Sequence, residues 1–278
     1  MPTWINSPAS SDPGMEADVC RIAAYLGAES DGTSLVFHGD HSLYRQSWAP
    51  RELLSGSVNA DGYGVVWYGT NGPARLSSTA PIWHDEDLRG ALSGVSSGCI
   101  VAALRNATVG LSVDGSGVLP MVHGKWTFVL NGYVPDFRRS HMRALRADLP
   151  DDLYGELRGS SDTETLFLLA VAALREGATL GNALLRIAER VRERVGQTEA
   201  QLNLMLSDGD GMAAIRTATV ERTNSLYLAE RPAFAPRGVV IASEAFDDDA
   251  AWGAVEGHTL VEIGPNGLVE TRPVPTPF

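Results

Sequence analysis

The sequence predicts an α+β fold in which two antiparallel sheets are covered by helices on their outer faces. Residues 19–130 contain short apolar, β-branched runs, and turn segments separate many of them, as is typical of antiparallel strands. Residues 162–196 then change to helical periodicity, and residues 202–243 return to strand-like runs. Because each sheet must bury its apolar face, this order of strands, helices and strands favours two sheets with helices outside.

The individual elements are predicted from local pattern. Eight apolar runs have the composition of strands: 19–25, 63–68, 99–104, 125–130, 202–207, 213–217, 225–229 and 239–243. Apolar residues recur at helical spacing over 162–196 with a break near 176–177, which predicts two helices. The stretch 259–274, with Pro265-Asn-Gly267 at its centre, predicts a closing hairpin. The polar segment 138–159 is interpreted as a mobile excursion from the core.

Composition limits the classes of function open to the chain. With 278 residues, of which 44% are hydrophobic and 20% charged, the chain has enough apolar surface to form one core. A net charge of −12 and the lack of a basic stripe argue against nucleic acid as a partner. Lys125 is the only lysine, which argues against Schiff-base, pyridoxal-phosphate and P-loop chemistry. We find no cofactor signature, and we expect neither a cofactor nor a metal.

The N-terminal segment and the cysteines bear on the cellular compartment. Residues 1–19 combine breakers, small polar residues and acidic residues, so we interpret them as a flexible leader, a candidate propeptide, before one domain at 20–278. They lack the basic and apolar regions of a signal peptide, and no segment has the ~20 apolar residues of a membrane span. Cys20 and Cys99 are too few for a disulfide scaffold and fit a reducing compartment. The predicted location is the cytoplasm, without membrane association.

Four short motifs have simple structural interpretations. Gly94-Val-Ser-Ser-Gly98 matches a serine nucleophile elbow, but a predicted helix precedes it and a strand follows, the reverse of that motif. His38 and His41 have no helical register and no third metal ligand, so a solvated loop is predicted. The aspartates at 247–249 lack the spacing of a calcium loop and are interpreted as a solvated turn. Cys99 opens an apolar strand and is predicted to fill the core.

Cys20 lies where the leader ends and a strand begins. Cleavage before it would make it the first residue, with its own α-amino group beside the thiol. That amine has an ordinary pKa of about 8, close to the value of about 8.5 for a thiol, so it can accept the thiol proton without a histidine. Cys20 is therefore the candidate nucleophile.

A thiolate that attacks an amide also needs donors for the developing oxyanion. Asn131-Gly132, after the predicted strand at 125–130, offers a side-chain amide and a backbone N–H. Taken alone, Asn-Gly at this spacing is more typical of a type I′ hairpin turn. Both interpretations stay open on spacing alone.

An ordered set of motifs resembles one enzyme family. The motifs are Cys20-Arg21 with Tyr25-Leu-Gly27, Gln46-Ser-Trp-Ala-Pro-Arg51, Asn59-Ala-Asp-Gly-Tyr-Gly64, Arg105-Asn-Ala-Thr-Val-Gly110, Asn131-Gly132, Ser161-Asp-Thr-Glu164 and the run from Ser243 to Asp249. Together they resemble a class II glutamine amidotransferase domain, one of the N-terminal-nucleophile hydrolases. The most similar stand-alone form is the γ-glutamyl hydrolase of ergothioneine biosynthesis. The resemblance implies a four-layer αββα sandwich of two antiparallel sheets.

The resemblance also implies residue roles. Cys20 is the nucleophile, Asn131 and Gly132 form the oxyanion hole, Arg105 binds the glutamyl α-carboxylate and Asp162 binds its α-ammonium group. These roles fit the chemistry, since a guanidinium pairs bidentately with a carboxylate and an aspartate suits an ammonium group. The structural alternatives are an ion pair for Arg105 and a helix N-cap for Asp162.

By the same resemblance, the activity is hydrolysis of a γ-glutamyl amide, with γ-glutamyl-hercynylcysteine sulfoxide as substrate and a γ-glutamyl thioester as intermediate. The alternatives are a glutaminase subunit that supplies ammonia to a separate synthase, and a non-catalytic binding module. Leu130 and Asn106 depart from residues common in the family, which makes the substrate the least determined feature. The mechanism requires either cleavage between Val19 and Cys20 or a different start codon. The sequence leaves the oligomeric state open, a homo-oligomer included.

Overall fold

In this computed structural model, the described residues are 20–54, 58–106 and 117–274. The predicted leader, residues 1–19, lies outside them. Among these residues, no helix is both long enough and apolar enough to cross a membrane. The strands form two antiparallel sheets, and the helices pack on them from outside, which confirms the predicted fold class.

The first sheet includes the strand that follows the predicted nucleophile, Cys20. Its strand order is β11-β9-β10-β1-β4-β2-β3. Its strands are β1 (Arg21–Asp31), β2 (Tyr63–Gly69), β3 (Gly72–Ser78), β4 (Ser96–Leu104), β9 (Tyr227–Glu230), β10 (Gly238–Ala242) and β11 (Trp252–Ala254). Three helices cover its outer face: α1 (Gly32–Phe37), α2 (Leu43–Gln46) and α3 (Leu88–Ser93), with a 3₁₀ turn at Ile82–His84.

The second sheet has the order β13-β12-β8-β7-β6-β5. Its strands are β5 (Met121–His123), β6 (Trp126–Tyr133), β7 (Gln201–Ser207), β8 (Met212–Ala218), β12 (Thr259–Ile263) and β13 (Val269–Pro273). A π-helical turn at Phe137–His141 and the helices α4 (Met142–Arg146), α5 (Asp151–Tyr154), α6 (Asp162–Arg175) and α7 (Leu180–Val195) pack beside it. The predicted break between two helices and the predicted β12–β13 hairpin are both confirmed.

Alternation along β1 separates two apolar cores. Ile22 and Ala24 point between the two sheets and join the larger core, which also takes in the face covered by α6 and α7. Ala23 and Tyr25 point the opposite way, into the core beneath α1, α2 and α3. The molecule is therefore a four-layer αββα sandwich, and β1 is buried on both faces.

The structure corrects one prediction of local structure and adds three strands that the sequence did not predict. Residues 138–159 were expected to be a mobile excursion, but they form short helices whose Leu145 and Leu153 are fully buried. The polar residues of this segment face outward while a few apolar ones anchor it to the core, which composition alone does not reveal. Strands β3, β5 and β11 also lacked a sequence signal, since they are edge strands with little apolar content or only three residues long.

Candidate active site

Cys20 lies immediately before β1, at one end of the first sheet. Its side chain is 5% exposed and belongs to the core between the sheets. In the antiparallel register, Arg21 of β1 pairs with Leu104, the last residue of β4. Cys20 and Arg105, the next residues outward on each strand, therefore lie at the same end of neighbouring strands.

Arg105 is held by its backbone, while its guanidinium forms no ion pair with any residue that the structure describes. Its N–H donates to the Gly62 carbonyl at 2.8 Å, and its carbonyl accepts from the Asp61 N–H at 3.1 Å. Its side chain is 6% exposed, and its Nη1 is buried without a hydrogen-bond partner among the described residues. A Cβ at Gly117 would lie 2.8 Å from its Nη2, so this glycine makes room for the guanidinium. The structural ion pair considered for Arg105 is absent from the described part of the chain.

Asn131 and Gly132 lie inside strand β6 and do not form a turn. Asn131 pairs with Asn203 and Gly132 pairs with Leu202 on β7, so the hairpin interpretation is wrong. Gly132 has a φ of +152°, and a Cβ there would lie 1.9 Å from the Gln201 carbonyl oxygen. Only glycine fits this backbone position without displacing β7.

The Asn131 amide bridges the two sheets. Its Nδ2 donates to Ser243 Oγ at 3.3 Å, and this hydroxyl also accepts the N–H of Ile22 on β1 at 3.0 Å. From the other side, Asn224 Nδ2 donates to the Asn131 carbonyl at 3.3 Å. Asn203 in turn donates its amide to the carbonyls of Asn224 and Ser225. A buried amide network thus holds Asn131 of the second sheet against the start of β1.

Asp162 lies at the first turn of α6, close to the end of β6. Its Oδ2 accepts the N–H of Val134 at 2.8 Å, and its Oδ1 accepts the N–H of Thr163 at 2.6 Å. Ser161, whose Oγ accepts the Glu164 N–H, is the N-cap of α6, so Asp162 does not have that role. Burial raises the pKa of the Asp162 carboxyl, and the two backbone N–H groups offset part of the increase.

Next to Cys20 is a buried cluster of ionisable side chains that the sequence did not predict, made of Arg21, Glu244 and His41. Arg21 Nε lies 3.4 Å from Glu244 Oε1, and His41 Nε2 lies 2.5 Å from Glu244 Oε2. All three side chains are buried. Burial alone would raise the pKa of Glu244, but the His41 hydrogen bond, the Arg21 charge and two backbone N–H groups together lower it.

The buried cluster corrects the expectation that both histidines occupy a solvated loop. His41 is 3% exposed and is fixed by Glu244, whereas His38 contacts Asp247 at 2.9 Å. Asp247 also accepts a hydrogen bond from Trp252 Nε1 at 2.9 Å. The turn at 247–249 is therefore fixed by side-chain contacts, which the prediction of a solvated turn did not include. Cys99 is 1% exposed, which confirms that it fills the core.

Two of the sequence motifs support candidate site residues through hydrogen bonds that the sequence did not predict. The motif Asn59–Gly64 fixes the backbone of Arg105 through Asp61 and Gly62, as described above. Gln46, at the start of the second motif, donates its amide to the His41 carbonyl at 2.9 Å. Local sequence patterns contain no signal for the contacts made by His41, Asn203, Asn224 and Glu244, because these contacts join distant parts of the chain.

Comparison with known proteins agrees with the motif resemblance. No protein-family model matches the sequence. The γ-glutamyl-hercynylcysteine sulfoxide hydrolase of Mycobacterium tuberculosis H37Rv is 32% identical over 253 residues, which cover 91% of this chain and 96% of that protein. The enzyme of the same name from Mycolicibacterium smegmatis is 31% identical over 256 residues, which cover 91% of this chain and 99% of that protein.

Solved structures support the fold. A class II glutamine aminotransferase domain protein from Silicibacter pomeroyi superimposes with a TM-score of 0.66 at 23% identity, covering 92% of this chain and all of that one. The glutamine phosphoribosylpyrophosphate amidotransferase of Bacillus subtilis gives a TM-score of 0.60 at 16% identity, covering 92% of this chain and 49% of that one. The chain therefore belongs to the γ-glutamyl-hercynylcysteine sulfoxide hydrolase family, and it is a hydrolase with the class II glutamine amidotransferase fold.

Proposed function

We propose that this chain hydrolyses a γ-glutamyl amide and uses Cys20 as an N-terminal nucleophile after the Val19–Cys20 bond is cleaved. The observation that carries the proposal is the meeting of three groups at one end of the sandwich. Cys20 immediately precedes β1, Arg105 follows the adjacent strand β4, and the Asn131 amide reaches the same strand end through Ser243. A nucleophile, a carboxylate receptor and an oxyanion donor are what this reaction needs.

Substrate recognition rests on the two charged residues. The Arg105 guanidinium is buried without an ion pair among the described residues, so an incoming α-carboxylate would supply the missing charge partner. Asp162 holds its carboxyl group against the N–H of Val134, three residues beyond Asn131, where it would bind the α-ammonium group. Two opposite charges at fixed positions would orient the zwitterionic glutamyl head and leave its γ-carbonyl near Cys20.

The proposed chemistry proceeds in two steps. The α-amine of Cys20 takes the thiol proton, and the thiolate attacks the γ-carbonyl, forming a C–S bond and an oxyanion that Asn131 Nδ2 and the Gly132 N–H stabilise. The C–N bond then breaks, and the leaving amine takes the proton from the α-ammonium group of Cys20. Water attacks the resulting γ-glutamyl thioester, releasing glutamate and restoring the thiol.

The names of the relatives suggest the substrate. We propose γ-glutamyl-hercynylcysteine sulfoxide, with hercynylcysteine sulfoxide and glutamate as products, because two relatives named for this activity match more than nine-tenths of the chain. The protein would act in the cytoplasm on a small molecule, and its net charge of −12 disfavours nucleic acid as a partner.

Intact-mass measurement and active-site substitution test the nucleophile. We expect the purified active protein to begin at Cys20, and we expect Cys20→Ala to abolish turnover while Cys99→Ala, the matched core cysteine, keeps most of it. An uncleaved species that hydrolyses γ-glutamyl amides at full rate would contradict the free-amine mechanism.

A substrate comparison tests the rest of the proposal. The cleaved protein should prefer the γ-glutamyl sulfoxide to glutamine. Release of ammonia from glutamine at a higher rate would favour a glutaminase subunit, and the lack of any turnover by the cleaved protein would favour a binding module.

A further inference from the structure

Arg21 points away from the thiol yet remains close to it. Alternation along β1 directs Cys20 and Ile22 into the core between the sheets, whereas Arg21 lies on the opposite face with Ala23. Its guanidinium is fully buried. Burial lowers the pKa of Arg21, and the charges of Glu244 and Cys20 offset part of the decrease. A buried positive charge therefore lies beneath the strand end that carries the nucleophile.

The charge of Arg21 is only partly compensated. Its single ion pair is the Nε contact with Glu244 at 3.4 Å, and its Nη1 and Nη2 have no hydrogen-bond partner among the described residues. Glu244 is shared, since it also binds His41 and accepts the backbone N–H groups of Arg51 at 2.9 Å and Glu52 at 3.1 Å. A carboxylate divided among four donors neutralises each of them less than a bidentate pair would.

Glu52 and Arg105 add further charge near this cluster. Glu52 follows α2 and accepts a hydrogen bond from the Tyr227 hydroxyl of β9 at 2.6 Å. This bond takes up part of the negative charge that Glu52 would otherwise direct towards Arg21. Arg105, at the end of β4, adds a second positive charge at the same end of the sheet. Positive charge therefore exceeds what Glu244 alone can balance near Cys20, in a region of low dielectric constant.

We propose that Arg21, held by Glu244 and His41, is a positioning residue that fixes the start of β1 and supplies positive charge favouring the thiolate of Cys20. The proposal deepens the proposed function and rests on Cys20 being the nucleophile. Glu244 has two roles, because it anchors the guanidinium of Arg21 and also offsets part of its charge. An arginine next to a cysteine is a recognised means of increasing thiolate character.

The pH dependence of Cys20 alkylation tests the proposal. Iodoacetamide modification is followed by mass spectrometry in a Cys99→Ala background, with folding verified by thermal denaturation. In Arg21→Gln we expect the alkylation midpoint to rise by about one pH unit, so that the rate at pH 6.5 falls about tenfold. Arg21→Lys keeps the charge and should restore most of the rate. A midpoint unchanged in Arg21→Gln, or equally raised in both variants, would overturn the proposal.

Glu244→Gln gives a second test with the opposite sign, and it applies even where Arg21→Gln does not fold. Removing the carboxylate leaves the positive charge less balanced, so the midpoint should fall; an unchanged or higher midpoint contradicts the charge argument. Arg146→Gln is the matched control, since Arg146 is also largely buried but contacts Thr165 and the Gly159 carbonyl. It should lower stability and leave the midpoint unchanged.

The alkylation measurements distinguish a failure of the Arg21 proposal from a failure of the proposed hydrolase function. Alkylation reports on the thiol whether or not the protein turns over a γ-glutamyl amide. A shifted midpoint in a protein without hydrolase activity would support the role of Arg21 and reject the proposed function. Hydrolase activity with an unshifted midpoint would reject only the role of Arg21.

Discussion

The two sheets contribute different polar groups to the candidate site. The first sheet supplies charges, with Arg21, Glu244 and Arg105 at the ends of β1, β10 and β4. The strands of the second sheet supply neutral amides, with Asn131 on β6 and Asn203 on β7, and the carboxyl group of Asp162 comes from α6, beyond the end of β6. Charges suit an ionic substrate and a thiolate, whereas neutral donors can stabilise an oxyanion without binding the ground state as strongly. The difference suggests that substitutions in the first sheet change binding and ionisation, and those in the second change the rate.

Gly132→Ala should have the largest effect, because it disrupts the pairing of β6 with β7 in the second sheet. The new Cβ would lie 1.9 Å from the Gln201 carbonyl oxygen, at a residue whose φ is +152°. We expect a loss of about 2–4 kcal/mol in the free energy of unfolding, measured by urea denaturation, together with loss of activity. Gly253→Ala on β11 is the control, since the nearest atom to its new Cβ lies 3.9 Å away. Equal stability of the two variants would contradict the expectation.

Asn131→Ala tests the division between rate and binding directly. Removal of an oxyanion donor is expected to lower kcat by about 10²–10³-fold and change KM little. Asn203→Ala is the matched control, because Asn203 pairs with Asn131 on the neighbouring strand but donates only to main-chain carbonyls. It should lower stability with a much smaller loss of kcat. Equal losses of kcat would mean that the amides act only as structural support.

Arg105→Lys should affect binding, as expected for a charge on the first sheet. Lysine keeps the charge but loses the bidentate geometry, so we expect KM to rise by about 10–100-fold, with a smaller change in kcat. Steady-state kinetics with the γ-glutamyl substrate measure both constants. The control is Arg75→Lys, which alters an arginine that binds the Val118 carbonyl. A loss confined to kcat would place Arg105 outside the carboxylate receptor.

Glu244→Gln should have the smallest effect, visible in acid. The environment of Glu244 lowers its pKa from the ordinary 4.5, so its ionised form stabilises the folded state above that pH. This contribution is lost as the pH falls through the lowered pKa. Below pH 4.5, the melting temperature of the variant should therefore depend less on pH than that of the wild type. Glu189→Gln, which removes an exposed carboxylate, should keep the wild-type dependence; identical curves for all three proteins would contradict the assignment.

The sequence by itself determined the features that depend on neighbouring residues. Helical periodicity predicted α6 and α7 with the break between them, and short apolar, β-branched runs predicted most central strands. The ordered motifs identified the family and nominated Cys20, Arg105, Asn131, Gly132 and Asp162.

Only the tertiary structure decided which partners those residues meet. Asn131-Gly132 has the same local signature in a turn and in a strand, and the pairing with β7 resolved the choice. His41 and Glu244 are 203 residues apart in sequence, and Asn131 and Ser243 are 112 apart. Local pattern records backbone preference and burial, but long-range contacts depend on how the sheets stack, so the charged cluster beside Cys20 became visible only in the folded chain.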